Sequence, residues 1–267
     1  MSEPLLVLDN ITKNYGAVQA LRGVSFSIAK GEVIALLGDN GAGKSTLVKI
    51  ISGGLDASSG SMSFEGKPFA PKSPSEAKAA GIETVYQDLS LCTNVDVVAN
   101  FFMGRELTRS IMGIKVLDEA RMEEQVAKAM ATAGTRIPSL RSKVEHLSGG
   151  QRQAIELNRF VHWGGKLVLL DEPFAALGVE QTKRGLEMIR QVAAQGIGVV
   201  IITHIMQQAF QVADRMVVIR QGVVAGDVPT KQTNADAVIG MITGETLTGA
   251  GPVGGATEGS GAQERNE

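Results

Sequence analysis

EVIALLGDNGAGKST, residues 32–46, constrains the fold of this chain more than any other stretch. Its apolar run is too short for a helix and too continuous for a half-exposed strand, so it reads as a buried strand. A glycine-rich turn follows, and then TLVKIISG, which has the composition of a helix. Strand, glycine turn and helix together make a phosphate cradle. Glycines at Gly38, Gly41 and Gly43 let the backbone N–H groups of Asp39, Asn40, Ala42 and their neighbours turn inward around an anion. Lys44 supplies a charge for the outer phosphates, and the Ser45 hydroxyl supplies a hard ligand for Mg²⁺. Thr46 opens a helix whose N-terminus points its free N–H groups at the same anion.

The fold must therefore hold this strand inside a sheet. Two further apolar runs, at Leu167–Leu170 and Val199–Ile202, have the same character and suit strands buried on both faces of a parallel sheet. The first third reads differently. LLVLDNITKNYG, VSFSI and SMSFEGKPF alternate and carry turn residues, which predicts antiparallel strands at one edge. From about 89 to 147 the chain reads as helix and loop. There LDEARMEEQVAKAMATAG starts at Asp118, a good N-cap, and stops at Gly134, with Met122, Val126 and Met130 on one packing face. The tail, 248–267, is rich in glycine and poor in large apolar residues, and we expect it to be disordered.

Composition excludes several classes. The chain has 267 residues, 43% of them hydrophobic, enough for a sizeable core. With 26 basic and 28 acidic residues there is no overall electrostatic case for nucleic acid, and a local basic patch stays open. No stretch reaches the roughly 20 apolar residues that span a bilayer. The single cysteine, Cys92, cannot form an internal disulfide and reads as a small hydrophobe in a reducing compartment.

Two other stretches carry chemistry. DEPFAALGVE follows the buried run KLVLL, so Asp171 and Glu172 stand at a strand end, where one acid can hold a metal and the other activate water. LSGGQRQ precedes a second helix. Ser148 can cap it, and Gly149 and Gly150 leave its first turn bare, which makes another N-terminus suited to phosphate. One nucleotide does not need two such cradles from one chain. Two copies related by a twofold axis solve this, each cradle facing the other copy's Ser148–Gln151 segment.

With these motifs in this order, the chain resembles the ATP-binding subunits of ABC transporters over residues 4–245. The resemblance implies a P-loop NTPase of α/β class, with an antiparallel β subdomain and an inserted α-helical subdomain at about 89–147. The ATPase domain would run from 1 to 247. By the same resemblance Tyr15, with Val18 nearby, would stack on adenine, since an aromatic ring offers a base a broad face. Gln87 matches the glutamine that touches Mg²⁺ and the attacking water. His204 matches the histidine that contacts the γ-phosphate. Gly38 to Thr46 and Ser148, Gly149, Gly150 and Gln151 would enclose ATP. Ser45, Gln87 and Asp171 would hold Mg²⁺, and Glu172, His204, Lys44 and Gln87 would carry hydrolysis.

Two positions depart from the wider family. Gly178 stands where many members have Asp, and Phe174 where Thr is usual. AALG, Asp39, GIETVYQDLSLCTNVDVVANFFMGRE, QVADRMVVIRQG and MITGE resemble the monosaccharide-importer subgroup, of fructose or ribose type. That implies import of a monosaccharide or related polyol. It also implies a second ATPase copy, an integral membrane permease, an extracytoplasmic sugar-binding protein and a peripheral place on the cytoplasmic face of the inner membrane. Import of another solute, export, a soluble ABC ATPase without transport and a silent regulatory subunit stay open at this point.

Overall fold

The computed structural model describes residues 4–85, 91–132, 137–163, 165–174 and 178–245. Gln87 and the tail 248–267 lie outside the described residues, as does Gly134.

Strands β1 (Pro4–Tyr15) and β2 (Val18–Ala29) form a long antiparallel hairpin, and β3 (Val33–Leu37) leads into helix α1 (Lys44–Ile51). Strands β4 (Ser59–Phe64) and β5 (Lys67–Pro68) return to the hairpin, and helix α2 (Pro74–Ala80) leads into β6 (Ile82–Val85). The central segment holds α3 (Val97–Phe102), the hairpin β7 (Thr108–Ile111) and β8 (Ile114–Leu117), α4 (Glu119–Thr132) and α5 (Gly149–His162). The chain then alternates through β9 (Leu167–Asp171), α6 (Val179–Ala194), β10 (Gly198–Ile202) and α7 (Met206–Val212). It closes with β11 (Arg215–Arg220), β12 (Val223–Pro229) and α8 (Ala235–Thr243).

Six strands make the main sheet in the order β12-β11-β3-β10-β9-β6. All neighbours are parallel except the β11–β12 pair. The three apolar runs picked out by sequence are adjacent here as β3, β10 and β9, with β3 and β10 buried along their whole length. The period of two then separates two cores. Ile34, Leu36, Leu169 and Val200 face α1 and the β1–β2 hairpin, while Val33, Ala35, Leu170 and Val199 face α6 and α7.

The N-terminal strands form the antiparallel subdomain that the family resemblance implies, and not the edge of the main sheet that their pattern alone suggested. They form a sheet of their own, in the order β2-β1-β4-β5, which shares the first core with the main sheet. Burial of Leu6, Leu8, Phe26 and Ile28 against Ile34 and Leu36 requires face-on packing, which edge pairing could not supply. Arg215 ties the two layers together. It donates to Glu32 at 2.7 Å, to Asp227 at 2.7 Å and to the Ser27 carbonyl on β2.

The central segment has a third core. Met122, Val126 and Met130 of α4 pack with Phe101 and Phe102 of α3 and Ile155 of α5, as their spacing predicts. Asp118 accepts from the Arg121 N–H at 3.3 Å, the N-cap role read for it. Asn100, fully buried, accepts from Cys92 N and donates to the carbonyls of Cys92, Val95 and Asp96, which fixes the loop ahead of α3. Cys92 itself is exposed, not a buried hydrophobe. The β7–β8 hairpin was not expected in a region read as helix and loop. It leaves Ile111, Met112 and Ile114 exposed.

Candidate functional site

The site lies where the ends of β3, β9 and β10 meet. These strands are neighbours in register, with Ile202 paired to Asp171 and to Leu36. Their C-terminal ends therefore deliver the cradle, the two acids and His204 to one crevice, which is where ligands bind in open parallel sheets.

The cradle's glycines are set by close approach. A side chain on Gly38, whose φ is 145°, would strike the Ile219 carbonyl of β11 at 2.1 Å. One on Gly43, whose φ is 111°, would strike the Ala20 carbonyl of β2 at 2.8 Å. The loop is thus clamped between the two sheets, and Gly222 N donates to the Ala42 carbonyl at 2.9 Å to brace it. Gly43 is the N-cap of α1 and places no side chain on the helix N–H groups, so that N-terminus is open to an anion. The side chain of Lys44 bends back over the loop and donates to the Gly38 and Asp39 carbonyls at 2.6 and 2.8 Å. Burial lowers its pKa, opposed by the nearby carboxylates of Glu172, Asp39 and Asp171. Asn40, Gly41 and Ser45 are exposed on the rim, and Thr46 is half-buried.

Asp171 is the last residue of β9. Burial, and then the Glu172 charge, push its pKa up, against Lys44 and Lys49. A carboxylate and a hydroxyl are the oxygen donors Mg²⁺ prefers. A divalent cation would offset the burial that now disfavours the Asp171 charge, so the residues present fit that ion. Glu172 has a left-handed backbone, φ 49°, and its N–H donates to the Ile202 carbonyl at 3.0 Å. Its carboxylate lies 2.9 Å from Nδ1 of His204. The two are 32 residues apart, and the sequence reading assigned His204 to a phosphate without seeing this partner. Strand pairing of β9 with β10 is the signal that brings them together.

Tyr15 and Val18 face each other across the turn of the β1–β2 hairpin, and both are exposed, at 48% and 66%. Ala20 and Leu21 of the same hairpin lie against Gly43, so the hairpin that carries Tyr15 packs on the cradle. The Lys13 ammonium lies 5.6 Å from its centroid.

The Ser148–Gln151 segment is built differently. Ser148 Oγ accepts from the Gln151 N–H at 3.3 Å, and the Gln151 side chain accepts from the Ser148 N–H at 3.0 Å. This capping box takes up the N–H groups of Ser148 and Gln151 from within, so the first turn offers an anion the N–H groups of Gly149 and Gly150 but not that of Gln151. Gly178 is the N-cap of α6, with Gln181 reaching back to its N–H at 3.3 Å. Its backbone is ordinary, and a side chain there would meet nothing within 4 Å. No backbone constraint therefore explains the missing acid. Phe174 is 2% exposed, and a side chain on Gly185 of α6 would collide with its ring at 2.3 Å.

Among the described residues, cavities also lie outside the cradle. One, about 390 Å³, sits between α4, α5 and α6. Another, about 280 Å³, is a groove lined by Lys78, Glu83, Phe101, Met103, Arg105 and Trp163, between α2–β6 and the central helices.

Comparison with known proteins gives a consistent picture. The family described as ABC transporter matches residues 21–175. A xylose/arabinose import ATP-binding protein of Sulfolobus acidocaldarius is 44% identical over 243 residues, 91% of this chain and 95% of that protein. A fructose import ATP-binding protein of Rhizobium meliloti is 44% identical over 224 residues, 82% and 86% of the two chains. A solved ATP-binding cassette of an ABC transporter, in its ADP conformation, superposes with a TM-score of 0.77 at 28% identity. It covers 91% of this chain and 100% of that one.

Proposed function

The chain belongs to the ABC transporter family, and from that premise we propose that it is the ATP-hydrolysing motor subunit of an importer for a monosaccharide or related polyol. The observation that carries the reading is the Glu172–His204 pair, 2.9 Å apart, beside a cradle that holds Lys44. A carboxylate, an imidazole and an ammonium around one anion site suit phosphoryl transfer to water, where catalysis is positioning and electrostatics. The two sugar importers that match at 44% identity support the solute class.

In this reading Lys44 swings from the Gly38 and Asp39 carbonyls onto the β- and γ-phosphates. Tyr15 stacks on adenine with Val18 beside it, and the N–H groups from Gly38 to Thr46 bind the phosphate oxygens. Glu172 orients or deprotonates the attacking water, and His204 bridges Glu172 and the γ-phosphate. Mg²⁺, when bound, neutralises phosphate charge, and Ser45, Asp171 and Gln87 are the residues that would hold it. A second copy presents Ser148, Gly149, Gly150 and Gln151 across the nucleotide, so hydrolysis follows dimer closure.

Residues 1–247 act as one ATPase unit in this proposal, with about 89–147 as its helical subdomain. Among the described residues no helix is long and apolar enough to cross a membrane. In this reading a permease holds the chain at the cytoplasmic face, through helices docked in grooves near Gln87 and the helical segment. A sugar-binding protein outside the membrane delivers the solute. The test is ATPase activity of the chain reconstituted with its permease and binding protein. Stimulation by a pentose or hexose is expected, and equal stimulation by non-sugar solutes would overturn the solute class.

A further inference from the structure

The sequence alone leaves Phe174 without a role. In the structure its ring has a dedicated seat. Gly185 lies inside the 16-residue helix α6, where glycine is the least favourable ordinary residue after proline. A β-carbon there would come within 2.3 Å of the Phe174 ring. A large residue two positions after Glu172 and a bare Cα eleven positions further on therefore make a matched pair. The ring belongs to the core that also holds Phe160 of α5, Ile189 of α6 and Leu170 of β9.

The pair stands next to a strained residue. Glu172 has a φ of 49°, which side chains other than glycine rarely adopt, so the surroundings must hold it there. On one side its N–H is fixed to the Ile202 carbonyl. On the other, Pro173 has no N–H to give, and the next buried group is the Phe174 ring. We propose that Phe174, keyed onto Gly185, is a positioning residue for hydrolysis, holding Glu172 in the left-handed conformation that aims its carboxylate at His204. The inference rests on Glu172 as the water-activating group.

The test uses the full chain, with kcat and KM for ATP measured well below each variant's melting temperature. Phe174→Leu keeps most of the buried volume but loses the ring. It should lower kcat about tenfold, a usual result of displacing a reacting group by a fraction of an ångström, with KM within about twofold. Gly185→Ala, which displaces the ring from below, should give the same split. The double variant Phe174→Leu, Gly185→Ala should recover part of kcat, because the smaller side chain leaves room for the methyl group.

Single variants with wild-type kcat would overturn the inference. So would losses that track the unfolded fraction, or a double variant whose losses multiply. Glu172→Gln is the control. If it still turns over, the assignment of Glu172 fails; if it is inactive while Phe174→Leu is normal, only the positioning role fails.

Discussion

Two helix N-termini in this molecule are suited to phosphate, and they are held in opposite ways. At α1 the cap is Gly43, no side chain covers the helix N–H groups, and the charged residues around it are partly buried. At α5 the cap is Ser148, and a reciprocal box with Gln151 takes up the N–H groups of Ser148 and Gln151, while those of Gly149 and Gly150 have no partner inside the helix. The first end is open and under electrostatic tension, and only a ligand relieves it. The second is partly capped by its own side chains, and offers a phosphate fewer free N–H groups. An open cradle suits first capture of the nucleotide; a closed one suits a surface that engages only when two copies meet.

This contrast predicts mutations of opposite character. The largest effect should come from Lys44→Ala. Removing the one ammonium in the cradle should weaken ATP binding to the isolated chain by about 2–5 kcal/mol, read by calorimetric titration. Wild-type affinity would remove the distinction between the two ends.

Ser148→Ala should do the reverse. Losing the cap should cost about 1 kcal/mol of stability, seen in denaturant melts, and lower turnover, while ATP affinity of the isolated chain stays unchanged. A weakened affinity would mean that one copy uses both ends.

Asp171→Asn sharpens the tension assigned to the α1 end. The folded pKa of Asp171 is raised from 3.8, so the unfolded chain releases that proton first as pH climbs. Between the two values the native state binds the extra proton, and stability falls as pH rises through that window and stays lower above it. The amide removes this loss. The variant should therefore gain in stability relative to wild type as pH is raised from below 3.8 to neutrality, while hydrolysis is lost. A constant difference across that range would contradict the burial of the charge.

Gly178→Asp should have the smallest effect. There is space for the side chain, and Asp is a slightly better N-cap than Gly, so stability should rise by a few tenths of a kcal/mol. Cooperativity between the two sites should change more than ATP affinity. An unchanged Hill coefficient with reconstituted permease would leave the acid without a role at the seam.

What the sequence revealed follows the range of the forces involved. The β3–α1 cradle was legible because its strand, glycines, lysine and helix are contiguous. Strands β9 and β10 were legible because burial on both faces leaves unbroken apolar runs. The β7–β8 hairpin was not, since its two four-residue strands are exposed apart from the half-buried Val116 and leave no period. The Glu172–His204 contact depends on which strands are neighbours, and Phe174 depends on a glycine in the following helix. Neither the separate packing of the N-terminal sheet nor the closed box at Ser148 leaves a mark on composition. Gln87, read as a ligand of metal and water, lies outside the described residues.

The central claim is that an open end and a closed end, from two copies, enclose one ATP ahead of hydrolysis by Glu172. Light scattering of the Glu172→Gln chain with ATP tests it most directly. The account predicts a doubled mass with turnover reduced about 10²–10⁴-fold, and a return to single mass when Ser148→Ala is added although ATP stays bound. A single mass for the Glu172→Gln chain with ATP bound, or turnover at the normal rate, would contradict it.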